Sequence, residues 1–290
     1  MICIKSVLLS LYIKLKIIYR CVDSVLNQTY PNLEILLIDD GSPDHCPKIC
    51  DEYAKKDGRV KVIHKSNSSV SATRNAGLEN ASGDYITFVD SDDFIEPDMY
   101  NQMLTIAAKN NCDVVLCDCI KDFPDHSELY SHSIRDGYYN YEQLKKEYYP
   151  HLLMMESVEY HATISNCLML FKKDLLIDYN GESIRYPDGI RFSENLLFCA
   201  KIMYEAKSFY YMKGQAFYHY VFHDNSASYS YCEDKWDDYL KLYSEIKWHF
   251  LSIATFDFRH QIDLCLLFFV FNSRGEILCS ETLSNEEKRK

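Results

Sequence analysis

Residues 85–93, with the sequence YITFVDSDD, constrain the fold of this chain more than any other stretch. Five good strand formers are followed at once by three carboxylates, those of Asp90, Asp92 and Asp93. Carboxylates crowded at the end of a central strand repel one another unless a cation lies among them, and oxygen-rich groups of this kind suit Mg²⁺ or Mn²⁺. Open α/β sheets bind ligands at this edge. The alternative is an acidic turn that leads into the next helix, with Asp93 near its start.

Short apolar runs alternate with helical patterns on both sides of this motif. The predicted helices cover residues 21–28, 43–56, 71–80, 97–110 and 194–205, and the predicted strands cover residues 33–38, 60–64, 113–119, 164–171 and 209–212. Alternation of this kind predicts βαβ units, and therefore an α/β fold with a mixed, mostly parallel sheet flanked by helices. Residues 123–159 are charged and tyrosine-rich, and we expect them to form an insertion.

The chain divides into a predicted main domain, residues 1–230, and a helical extension, residues 231–290, which carries an apolar stripe at helical spacing. Residues 6–19 are apolar, but they are too few to span a bilayer and lack a small-residue cleavage site. The twelve cysteines have no metal-type or disulfide-type spacing, which predicts reduced core thiols in a cytoplasmic protein. The net charge of −12 argues against a nucleic-acid partner.

Two longer stretches surround the acidic motif: RCVDSVLNQTYPNLEILLIDDGS at residues 20–42 and SVSATRNAGLENASGDYITFVDSDDFIEPD at residues 69–98. With them the chain resembles the family-two glycosyltransferases of bacterial polysaccharide synthesis. The resemblance implies the Rossmann-like, A-type glycosyltransferase fold and an inverting sugar transfer that depends on Mn²⁺ or Mg²⁺. It also implies a UDP-sugar donor and a glycan or lipid-linked glycan acceptor. The resemblance further implies a location at the inner face of the cytoplasmic membrane. The C-terminal helices could contact that membrane surface or simply pack on the domain.

The resemblance also assigns the donor side of the site. Asp39 and Asp40 end the second predicted strand, and Asp40 is implied to accept a hydrogen bond from the uracil imide; the alternative is a cap on the next helix. Arg74 is implied to lie near the nucleotide and the acidic cluster, unless it forms only a salt bridge on a helix surface. Asp92 is implied to ligate the metal ion, and Asp90 to contact the ribose or a metal-bound water.

The acceptor side departs from the family pattern. Direct inversion needs a base on the acceptor hydroxyl, and relatives keep a Glu-Asp pair at a helix start for this. Here the pair is Glu194-Asn195, within RFSENLLF, so either Glu194 is the base or the catalytic aspartate has been lost. Glu194 could also serve only the helix dipole. His219 and His223 fall where relatives carry a loop over the diphosphate, and Ser68-Ser69 replaces the usual Gly-Gly.

The N-terminus lacks the Pro-x-Tyr turn that ends the first strand of family members. One set of codons for residues 6–16, read one nucleotide earlier, encodes VSIIVPVYKVE, which is the expected strand and turn. We therefore hypothesise that residues 1–16 are a frameshifted first strand; a genomic sequence incompatible with those codons would exclude it. The substituted residues are apolar enough to form some strand, but they do not restore the turn.

Two other functions can be compared with the sequence. A degenerate, non-catalytic relative that keeps the fold is favoured by the altered N-terminus, by Ser68-Ser69 and by Asn195. A nucleotide-sugar pyrophosphorylase would need a glycine-rich N-terminal phosphate loop with basic residues, and the sequence has none.

Overall fold

A computed structural model describes the backbone of residues 7–11 and all atoms of residues 18–222, 232–280 and 283–284. Within these residues one sheet contains ten strands: β1 (Val7–Leu11), β2 (Ile35–Asp39), β3 (Val60–His64), β4 (Tyr85–Asp90), β5 (Phe94–Ile95), β6 (Val114–Asp122), β7 (Ser127–Tyr130), β8 (Gly137–Asn140), β9 (Met169–Lys172) and β10 (Ser208–Val221). The α-helices described are α1 (Ile18–Leu26), α2 (Cys46–Lys56), α3 (Val70–Asn80), α4 (Met99–Asn110), α5 (Tyr141–Gln143), α6 (Glu194–Glu205), α7 (Lys235–Leu251) and α8 (Arg259–Cys279).

The sheet has a parallel half and a mixed half. Strands β3, β2, β1 and β4 lie side by side and are all parallel. Strand β9 then runs antiparallel between β4 and β6, and β10 is parallel to β6. The remaining strands, β5, β7 and β8, are antiparallel additions. The predicted α/β fold with a mixed sheet flanked by helices is therefore confirmed.

Strand β1 brings the two acidic strand ends together. Its residue Leu11 is in register with Asp39 of β2, and Ser10 is in register with Asp90 of β4. Two strand spacings of about 4.8 Å therefore separate the ends of β2 and β4. The expectation that the substituted N-terminal residues form some strand is confirmed, while the turn that should follow, at residues 12–17, lies outside the described residues.

Two predicted strands differ from the structure. The predicted strand at residues 164–171 is mostly two short 3₁₀ turns, because Ser165 and Asn166 favour turns over extended pairing, and only β9 remains as strand. Strand β10 is 14 residues long, although only residues 209–212 were predicted. Gly214, at φ 79°, allows a bulge at which the register with β6 shifts, and the strand then continues.

The C-terminal extension is an antiparallel helical hairpin. Helices α7 and α8 pack through a stack of Tyr239 on Phe269, with ring centroids 4.5 Å apart, and Asn272 donates to the Tyr239 hydroxyl at 2.7 Å. The predicted helical character is thus present, while the domain boundary at residue 230 stays a prediction. No helix in the described part of the chain is long and apolar enough to cross a membrane. The described cysteines are all free thiols, and most are buried.

Candidate functional site

The acidic motif splits into two outward carboxylates and one inward carboxylate. Strand β4 ends at Asp90, whose side chain is 37% exposed, and Asp92 is also half-buried. Asp93 is buried, and its carboxylate accepts hydrogen bonds from the Tyr218 hydroxyl at 2.6 Å and the Val221 amide at 2.8 Å. The alternative role of Asp93 as a helix cap is wrong, since its partners lie on β10. The Asp90 and Asp92 side chains both remain partly exposed at this edge of the sheet.

Burial and charge perturb Asp93 strongly. Burial away from water raises the pKa of the Asp93 carboxyl group to about 8, and the negative charges of Asp90 and Asp92 contribute in the same direction. The two hydrogen bonds to Asp93 oppose this shift without cancelling it. Without a metal ion, the folded protein therefore holds a proton on Asp93 at neutral pH.

This shift predicts a pH-dependent stability for the metal-free protein. Because the folded pKa of Asp93 lies above its unfolded value of about 3.8, its contribution is complete below about pH 4 and is lost by about pH 8. We expect Asp93→Asn to remove a slope of up to about 1.4 kcal/mol per pH unit over that window. Urea unfolding in EDTA at pH 5 and pH 8 measures it; parallel pH profiles for the two proteins would contradict the assignment.

Arg74 lies at the centre of the site. Its Nη2 donates to Asp90 Oδ1 at 3.1 Å, and its Nη1 donates to Glu194 Oε1 at 2.5 Å and to Asn195 Oδ1 at 3.1 Å. Arg74 is only 4% exposed, so the alternative of a surface salt bridge is wrong. Burial alone would lower its pKa, but the carboxylates of Asp90 and Glu194 outweigh this and raise it. One buried cation on α3 thus joins the end of β4 to the start of α6.

Local backbone geometry aims Glu194 at Arg74. Ser193, the residue before helix α6, has φ 59° and ψ 20°, a left-handed conformation uncommon outside glycine and asparagine. This corner places Glu194 and Asn195 in the first turn of α6, with Glu194 7% exposed. The two residues are about 120 positions from Arg74 in sequence, and the structure brings them together.

The other acidic strand end is tied to the loop between β3 and α3. Asp40 is 3% exposed and accepts hydrogen bonds from the Ser68 amide at 3.1 Å and from Lys65 Nζ. Its partners are therefore in this loop, and it does not cap α2. Asp39 Oδ1 accepts from the Ser42 amide at 3.0 Å. Lys65 was not identified from the sequence, where only the polar run KSNSS after β3 marks it, and Ser68 was noted only as part of the pair that replaces Gly-Gly.

Two details explain the shape of this loop. Gly41 has φ 69°, and a Cβ there would lie 2.7 Å from the Asn67 amide nitrogen, so the close approach requires glycine. Ser69, in the place of a family glycine, is the N-cap of α3 and accepts a hydrogen bond from the Ala72 amide at 3.1 Å. The serine pair is therefore integrated into the local structure.

His64 extends the acidic end of β2 toward α2. Its Nδ1 lies 3.0 Å from Asp39 Oδ2 and its Nε2 lies 3.1 Å from Asp51 Oδ1. Hydrogen bonds to Asp39, and then to Asp51, raise the pKa of His64 above its usual value. The imidazole thus anchors Asp39 from the side opposite Ser42.

His219 is a sheet residue and does not belong to a loop. It lies on β10, stacks on Phe94 with ring centroids 4.1 Å apart, and contacts Asp122 at 2.8 Å and Glu96 at 2.9 Å. Arg20, which was not identified from the sequence, lies 4.5 Å from the Phe94 ring centroid and donates to the Asp92 carbonyl at 3.1 Å. His223 lies outside the described residues.

The donor set at β4 fits a divalent cation that arrives with a diphosphate. No group of three or more His, Cys, Asp or Glu side chains suited to a metal ion is found among the described residues. Mg²⁺ and similar ions are commonly held by one or two carboxylates together with substrate phosphates and water. Asp90 and Asp92, both partly exposed, supply two such carboxylates.

Comparison with known proteins places the chain in a family. The model of glycosyl transferase family 2 matches residues 6–177, more than half of the chain. The chain belongs to glycosyl transferase family 2. It is 42% identical over 144 residues to the putative glycosyltransferase EpsH of Bacillus subtilis, a match that covers 50% of this chain and 41% of EpsH. The chain spans less than half the length of the curated relatives it matches.

Two solved structures share the fold of this family-2 member. S. aureus TarS 1–349 in complex with UDP-GlcNAc aligns with a TM-score of 0.70 at 22% identity, over 98% of this chain and 77% of TarS. The mannosyltransferase PcManGT of Pyrobaculum calidifontis, in complex with GDP-Man and Mn²⁺, aligns with a TM-score of 0.55 at 14% identity, over 98% and 77%. At these identities the likeness establishes the fold alone.

Proposed function

We propose that this chain is a metal-dependent, inverting glycosyltransferase that moves a sugar from a UDP-sugar to a glycan or lipid-linked glycan acceptor in surface polysaccharide synthesis. The observation that carries the proposal is Arg74, which joins Asp90 to Glu194 and Asn195 through one buried guanidinium. A donor-side carboxylate and a candidate base are thereby held on opposite sides of one cation. Two substrates that meet between them would be oriented for direct displacement.

The donor would lie across the carboxyl ends of β2, β1 and β4. Asp39 and Asp40 line the nucleoside end, and Asp90 and Asp92 line the diphosphate end, two strand spacings away. Asp40 already accepts from Lys65 and Ser68, so a uracil imide would use a remaining lone pair of that carboxylate or displace Lys65. The UDP-GlcNAc complex of TarS supports a uridine nucleotide as the donor carrier.

Asp90 and Asp92 are the residues that would hold Mn²⁺ or Mg²⁺. When bound, the ion neutralises negative charge on the departing diphosphate. Arg74 would keep Asp90 in place to hold this ion. The Mn²⁺ complex of PcManGT supports this choice of metal.

Glu194 is the proposed base for the acceptor hydroxyl. It is the only carboxylate of the Glu194-Asn195 pair, and Arg74 fixes its Oε1. Its second oxygen, Oε2, would take the proton as the hydroxyl attacks the anomeric carbon and UDP leaves from the opposite face. Asn195 would orient Arg74 without taking a proton.

A cytoplasmic site at the inner membrane face is part of this proposal. Both tryptophans of the chain, Trp236 and Trp248, are exposed on α7, at 36% and 67%, and Leu240, one turn after Trp236, is also exposed. Exposed aromatic and leucine side chains on an amphipathic helix suit peripheral contact with lipid. Such contact would bring the site close to a lipid-linked acceptor.

The second candidate function is a degenerate relative that keeps the fold. Asn195 replaces an acid, and the Asp40 carboxylate is already bound by Lys65 and Ser68. Such a protein would fold and bind partners without transferring sugar.

Calorimetric titration of UDP into the chain separates the two candidates. We expect binding that Mn²⁺ tightens by about tenfold or more, equivalent to about 1.4 kcal/mol, and that Asp92→Asn makes insensitive to Mn²⁺. Asp237→Asn, an exposed substitution on α7, is the matched control and should behave like the parent. If the folded parent binds no UDP with or without Mn²⁺, the degenerate relative is favoured. Release of UDP from UDP-GlcNAc is then not expected.

A further inference from the structure

The segment that carries Glu194 is held by the C-terminal hairpin. Asp238, on α7, is 2% exposed, and its Oδ2 accepts from the Arg191 backbone amide at 3.2 Å and from Arg191 Nε at 2.9 Å. Arg191 lies three residues before Glu194. A buried carboxylate on α7 therefore fixes the backbone just upstream of the candidate base.

A second contact fixes the corner itself. The Tyr160 hydroxyl forms a hydrogen bond with Ser193 Oγ, and the Tyr160 ring packs against Phe268 of α8, with ring centroids 4.3 Å apart. A left-handed serine is strained and persists only where its surroundings determine it. Tyr160, packed against α8, holds the Ser193 side chain, and Asp238 holds the backbone two residues earlier.

The residue between these two contacts is also covered by the hairpin. The Lys235 ammonium lies 4.7 Å from the Phe192 ring centroid, and it pairs with Glu276 of α8. Lys235 is 4% exposed, so this cation is buried against the segment. Three consecutive residues before Glu194 are thus each held by the hairpin, directly or through Tyr160.

Burying the Asp238 carboxylate costs hydration free energy, so packing alone does not account for a carboxylate at this position. Replacing a whole buried ion pair by apolar residues is often neutral or stabilising. What the carboxylate adds is direction, because Oδ2 can accept the Arg191 amide only when residues 191–193 adopt this path. The contact specifies geometry more than it adds stability.

We propose that the α7–α8 hairpin positions the candidate base, with Asp238 and Tyr160 as positioning residues that set the Ser193 corner and so the direction of Glu194. This inference rests on the proposed function for its catalytic consequence. Its structural consequence, the fixed path of residues 191–195, stands independently of any activity.

The test uses Asp238→Leu and Tyr160→Phe in the full chain, with Asp237→Leu as the control on the exposed side of the same helix turn. Three quantities are measured: amide hydrogen exchange of the peptide over residues 190–198, UDP affinity with Mn²⁺, and UDP release from UDP-GlcNAc. The thermal unfolding midpoint is recorded for each variant.

We expect exchange over residues 190–198 to rise about tenfold in both variants, kcat to fall by about 10- to 100-fold, and UDP affinity and donor KM to stay within about twofold. Asp238→Leu should lower the unfolding midpoint only modestly, because the Arg191 side chain that loses its partner is 49% exposed and stays hydrated. Unchanged exchange and kcat would overturn the proposal, as would a joint loss of UDP affinity, kcat and global protection, which marks a merely structural role. If the parent neither binds UDP nor releases it, the proposed function fails, and local exchange alone decides whether the hairpin positions this segment.

Discussion

Replacing Arg74 with methionine is expected to lower the free energy of unfolding by about 3 kcal/mol and to abolish sugar transfer. Methionine fills the space but leaves Glu194, whose side chain is 10% exposed, without its cation. Asp90 is 37% exposed, so water compensates that carboxylate in part and its share of the loss is smaller. Urea unfolding gives the stability change, and UDP release from UDP-GlcNAc gives the activity.

Arg74→Lys is the matched control, because it keeps the positive charge but not the geometry of the guanidinium. Lysine keeps a cation near both carboxylates but cannot present two separate nitrogens to Asp90 and to the Glu194-Asn195 pair. Arg74 Nε has no acceptor among the described residues, so only the Nη contacts are lost. We expect Arg74→Lys to recover most of the stability and little of the activity. An Arg74→Met protein as stable as the parent would show that the guanidinium does not compensate the carboxylates.

The parts of the fold that local pattern determines were predicted well. Strand β3 (Val60–His64) and helix α6 (Glu194–Glu205) have the predicted bounds, because each combines a clear period with unambiguous ends. Strand β10 was underestimated, since the polar Lys213 and the flexible Gly214 interrupt its pattern. Pairing with β6 on both sides of the bulge overrides that local signal.

The candidate site could be predicted only in part. The residue types at Asp39, Asp90 and Glu194 are visible in the sequence, and strand order places the first two at one edge. The contacts of Arg74 depend on how α3 and α6 pack, at a separation of about 120 residues, and no sequence period encodes that distance. The Asp238–Arg191 contact is hidden for the same reason.

A large change in catalysis is also expected at the helix start that carries the candidate base. We expect Glu194→Gln to lower kcat by about 100-fold or more, because glutamine keeps an oxygen for Arg74 Nη1 but cannot accept the acceptor's proton. UDP affinity should stay unchanged, since the donor carboxylates lie across Arg74. Steady-state UDP release at saturating UDP-GlcNAc, alongside UDP calorimetry, measures both quantities.

The Asn195→Asp variant shows whether the general base is Glu194 or the residue at position 195. Asn195 Oδ1 already accepts from the same Arg74 nitrogen at 3.1 Å, so an aspartate would be held in place without rearrangement. If Glu194 is the base, the added carboxylate should change kcat by less than about threefold, because general-base catalysis, worth about 10²–10⁴-fold, is already present. A rise of about 100-fold in Asn195→Asp, with little loss in Glu194→Gln, would move the base to position 195 and make the natural asparagine the reason for a weak enzyme.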